Sequence, residues 1–300
     1  LLVNAGAGGV DITGSTTVGT AGAGGNSFNG AFAMLGTSAV TLQSGGSLTV
    51  NGLGTTPTTI PNSIVGQNTV GTSTVLVNGG SLTIGASTGF ILGNGNNNNI
   101  AANGVLTISS GTATINRGTV GAANGTDTRL IEMGKDSNSA TGTINLNGGT
   151  LATDRQFVRD GSSAGQAGTA NFVFGGGTLK ALGTQTDWLQ STTASSAGQN
   201  QGITGGTVNA NAQALSSVTT TAVSTIDSNS FSVAINKNIS GTGGFNINSS
   251  TGTGTVTFGG ANTYSGPTTI SAGRLNVVSP GSIDNTSLVS LGAATLGGNG

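Results

Sequence analysis

VLVNGGSLTI, residues 75–84, is two alternating apolar runs joined by Asn-Gly-Gly. Read as extended chain, it sends Val75, Val77, Leu82 and Ile84 to one side, because successive strand side chains point to opposite faces. Five further segments share the form: VTLQSGGSLTV (40–50), LTISSGTATI (106–115), INLNGGTLAT (144–153), FVFGGGTLKA (172–181) and GITGGTVNA (202–210). Aligned on the residue two after the last turn glycine, they give Leu48, Leu82, Ala113, Leu151, Leu179 and Val208, in steps of 34, 31, 38, 28 and 29 residues. Short strands recurring at such intervals, with no helical period between them, predict an all-β protein.

The turns leave two architectures open. Asn-Gly-Gly at Asn78 and Asn147 could close antiparallel hairpins. It could equally form the corners of a parallel solenoid, where glycine and asparagine supply positive φ. The solenoid is the better reading, because the pattern recurs six times and length varies only between the repeats. Val40, Leu42, Leu48, Val50, Ile144, Leu146, Leu151, Phe172, Phe174 and Leu179 then face inward with the four residues above. Thr, Ser and Asn dominate the outward positions, where a β-branch suits the pleat.

Composition agrees with that body plan. Of 300 residues, 56 are glycine and only 6% are charged, against roughly 25% in average domains. The 34% of apolar residues are too many, and too regularly placed, for a disordered chain. A net charge of −1 with eight Lys and Arg gives no footing for nucleic acid, which needs clustered cations. No run approaches the 18 or so apolar residues of a membrane-spanning helix.

GTGGFNINSSTGTGTVTFGGANTYSGPTTISAGRLNV (241–277), with GANTYSGPTTISAGRL (260–275) its most specific part, resembles the autotransporter-associated β-strand repeat of bacterial passenger domains. TIDSNSFSVAINKNISGTGG (225–244) is similar to the segment that commonly precedes it, and residues 147–181 resemble segments of very long proteins that carry such repeats. The resemblance implies a right-handed parallel β-helix, secreted or displayed on the cell surface, with no catalytic residues. Two departures stand out: Pro267 where a second glycine is common, and SSTGTG (249–254) where a lysine is frequent. The expected organisation is one continuous β-helix over 1–300, a piece of a longer chain, with the repeat region at 225–277.

Candidate chemistry is sparse. His and Cys are absent, which removes the commonest general base, the thiol nucleophile and the usual zinc ligands. One window is charge-rich: Asp127, Arg129, Glu132, Lys135, Asp136, Asp154, Arg155, Arg159 and Asp160 hold nine of the seventeen charges. It can be read as an acid–base groove like that of β-helical polysaccharide lyases and hydrolases, or as exposed salt bridges ordering two loops. The alternating signs favour the second reading. LGNGNNNNI (92–100) lacks the Asp of a calcium-binding turn, and Trp188 in TDWLQ (186–190) is expected under a loop or against the helix flank. The expectation is no catalytic, cofactor or metal site.

The leading functional reading is therefore an extracellular structural or adhesive stalk or fibre of a bacterial surface, not an enzyme. A carbohydrate-active β-helix and a glycan- or receptor-binding module are the alternatives. Expected partners are flanking coils or further copies stacked end to end, and surface glycans or host or neighbour-cell receptors, with no nucleic acid.

Overall fold

The computed structural model describes residues 2–3, 10–12, 15–18, 32–50, 62–86, 88–95, 99–117, 130–160, 168–192, 212–283 and 288–300. Among these residues there is no helix. The strands lie parallel in a strongly curled sheet, so that most pair with a strand one coil earlier and not with the preceding strand in sequence.

Three faces result. The first stacks Ala39–Gln43, the leading halves of Gly71–Ile84 and Ala102–Ile115, Thr141–Leu146, Thr169–Phe174 and Ser217–Thr220. The second stacks Ser47–Val50, the trailing halves of the same two long strands, Thr150–Thr153, Thr178–Ala181, Ser224–Asp227 and Phe245–Asn248, and continues into residues 268–270 and 289–291. The third runs Ala33–Met34, Asn62–Gln67, Gly89–Asn94, Leu130–Lys135 and Gln156–Asp160. It carries on through Leu189, bridged to Phe157, and Gln185, bridged to Val233, into Ser232–Ile235 and Thr255–Phe258. One pairing breaks the rule: Ala212–Gln213 lies antiparallel to the end of Gln156–Asp160.

The alternation fixes what is inside. Val40, Leu42, Val75, Val77, Leu82, Ile84, Ile144, Phe172 and the other predicted inward positions are buried in one continuous core. The predicted column is real for five of its six members: Leu48 pairs with Leu82, Leu82 with Ala113, Ala113 with Leu151 and Leu151 with Leu179. The sixth, Val208, lies outside the described residues, and the partner stacked on Leu179 is instead Ile226. Asn-Gly-Gly makes solenoid corners, not hairpins, since the flanking strands pair in parallel with other coils.

Coil size falls along the chain. The column Val233, Val256, Leu275, Leu296 advances by only 23, 19 and 21 residues, against 28 to 38 for the steps from Leu82 to Leu179. An aromatic series crosses this change of pitch. Phe157, Phe172, Phe174 and Phe245 follow one another at 5.1, 4.7 and 5.1 Å between ring centroids, and Phe245 also meets Phe258 at 5.8 Å and Tyr264 at 5.0 Å. Most of these are edge-on contacts, the geometry that aromatic quadrupoles favour.

The first and third faces approach so closely that side chains are excluded between them. A Cβ on Gly104 would lie 2.0 Å from the carbonyl oxygen of Val65 and 2.4 Å from the nitrogen of Gly93. The requirement here is space, not dihedral freedom.

Candidate functional site

The described charges of the window pair with one another or with backbone groups. Glu132 and Lys135, three apart on one strand, pair at 3.3 Å and are both buried. Arg155 is fully buried and turns its guanidinium on backbone carbonyls. Its Nε donates to Asn116 O at 2.8 Å, Nη1 to Leu130 O at 3.4 Å, and Nη2 to Gly85 O at 3.0 Å and Thr88 O at 2.7 Å. The rigid fork of arginine suits several fixed carbonyls at once. Asp154 accepts from Arg117 N at 2.5 Å, and Arg159 donates to Ala214 O, Gly168 O and Gln213 Oε1. The expectation of exposed salt bridges is thus corrected. Glu132, Lys135 and Arg155 are buried and Asp154 and Arg159 half-buried; Arg155 satisfies coil corners from inside, because backbone groups buried between coils need partners that water cannot supply. Asp127, Arg129 and the side chain of Asp160 lie outside the described residues, as do Asn96, Asn97 and Asn98 of the asparagine run.

Trp188 is likewise in the main core, fully buried, with Nε1 donating to Arg155 O at 3.1 Å. It sits on the third face between Phe157 and Ala234, instead of lying under a loop, and offers no stacking surface for a sugar.

Its neighbour marks a place that the charged window does not include. Thr186, Asp187, Ser191, Thr192 and Asn236 line a cleft of about 500 Å³ on the outside of the solenoid. Asp187 is 1% exposed. Its Oδ2 accepts from Ser191 N at 2.9 Å and Ser191 Oγ at 3.0 Å, and its Oδ1 from Asn236 Nδ2 at 3.4 Å. Beneath it Gln156 donates to Asp187 O at 2.7 Å and to Gln190 Oε1, while the Oε1 of Gln156 is buried without a hydrogen-bond donor. Burial raises the Asp187 carboxyl above the ordinary carboxylate range, and the hydrogen bonds from Ser191 and Asn236 only partly offset it. Burial also lowers Lys237, with Arg159 adding to the effect and Asp187 opposing it. Opposed shifts of this kind in a cleft mark candidate sites. No cluster of three or more metal-ligating side chains exists among the described residues. In the sequence Asp187 has no signal, since Asn236 and Lys237 come from another coil.

The segment 260–275 is built to tie coils together. Asn262 is buried, accepts from Ile239 N at 2.9 Å and donates to Ser282 O at 2.9 Å, so one carboxamide bridges three successive coils. Tyr264 fills the core corner, and its hydroxyl meets Thr268 Oγ1 at 2.7 Å. Pro267, whose ring needs no donor, offers its carbonyl to Phe245 N at 2.8 Å. Gly273 has φ +76°, and a Cβ there would lie 2.6 Å from Gly254 O, so both strain and space require glycine. Ser249, in the 249–254 turn, binds Asn229 O and accepts from Gly254 N at 3.0 Å.

Burial pushes Tyr264 up to about 12 from an ordinary value of 10.0. A raised folded-state value means that its contribution to stability is complete below the unfolded pKa near 10 and is lost as pH rises through about 12. Tyr264→Phe should therefore cost about 1 kcal/mol at neutral pH, from the lost hydroxyl bond. It should also remove part of the alkaline loss. Urea midpoints at neutral pH and at a pH between these two values check both parts; an unchanged alkaline loss would refute the assignment.

Residues 251–277 match the family model of the passenger-associated-transport-repeat. The match falls on the three-coil staple just described and on the C-terminal part of the 225–277 region, so the chain carries an autotransporter passenger-associated repeat. Neither a curated protein nor a solved structure matches the chain.

Proposed function

We propose that this chain is a length of an autotransporter passenger: a right-handed parallel β-helix, secreted to the cell surface, with a structural or adhesive and non-enzymatic role. The observation that supports the reading is the coincidence of the passenger-associated repeat with a staple spanning coils around Ile239, Asn262 and Ser282. A segment whose buried groups tie coil to coil extends the stack, and a solenoid gains length at constant cross-section. The described charges of the window serve the backbone in the same way.

Leu291 and Leu296 occupy columns whose previous members, Ile270 and Leu275, are fully buried, yet they are 53% and 42% exposed. A second copy stacked on this face would cover them and pair the strand edge.

The test combines small-angle scattering with size-exclusion light scattering on the purified chain. An elongated particle is expected, with a radius of gyration well above the ~19 Å of a 300-residue globule, and end-to-end oligomers. A monodisperse compact monomer would overturn the reading.

A further inference from the structure

We draw no further inference here: the strongest candidate, the outward column of hydroxyl side chains that runs coil by coil along the second face through Ser47, Ser81, Thr112, Thr150, Thr178 and Thr225, carries none because nothing in the structure shows what covers it.

Discussion

Arg155→Ala should destabilise the protein by on the order of 4 kcal/mol or more, which is a large part of the 5–15 kcal/mol that a folded domain possesses. The guanidinium donates to four carbonyls, those of Gly85, Thr88, Asn116 and Leu130. Deleting it leaves acceptors buried without donors, each costing about 1–3 kcal/mol where water cannot enter. Arg155→Met separates this from packing, since it restores most of the apolar stem but none of the donors. It should remain nearly as damaging as alanine. Arg155→Lys should recover less than half of the loss, because an ammonium on a flexible stem does not reproduce the fork. Urea unfolding with the slope held constant reads the difference as a midpoint shift. Near-parent stability for Arg155→Ala would show that the corner carbonyls are hydrated and that the buried arginine is dispensable.

Phe174→Ala is the second large effect, about 3–5 kcal/mol for a fully buried ring. Phe174 is the hinge of the aromatic series: it meets Phe172 at 4.7 Å within its own strand and Phe245 at 5.1 Å in the tighter coils that follow. In a solenoid, stability is close to a sum of coil and nearest-neighbour terms. Emptying this contact should therefore weaken one interface selectively. Calorimetry should show the parent transition split in two, the coils before the change of pitch melting apart from those after it. Phe174→Leu, which keeps most of the volume, should cost about 1 kcal/mol and keep one transition. A single transition shifted bodily in Phe174→Ala would mean that the two sets of coils are coupled through the backbone ladders and not through these rings.

Much of this architecture is legible in the sequence because burial in a strand has a period of two. Val75, Val77, Leu82 and Ile84 announce an inward face locally, and the recurrence of the same phrase at Leu48, Leu82, Ala113, Leu151 and Leu179 announces a stacked column whose members do pair. The passenger-associated repeat was legible for the same reason: Asn262, Tyr264, Thr268 and Gly273 act within one short segment, so their spacing can be read along the chain itself.

Contacts across coils are not written that way. The sixth column member was expected at Val208 by counting; Val208 lies outside the described residues, and the residue stacked on Leu179 is Ile226. Alternating charges in Glu132, Lys135, Asp154 and Arg155 looked solvated, since nothing local says that a corner of three coils will close over them. The cleft needs Asp187 and Asn236, 49 residues apart in sequence, to meet across one coil boundary. Local periodicity thus determined the fold class, the inward residues and the repeat. The tertiary structure alone decided which charges are buried, because desolvation depends on what the neighbouring coils bring to a position.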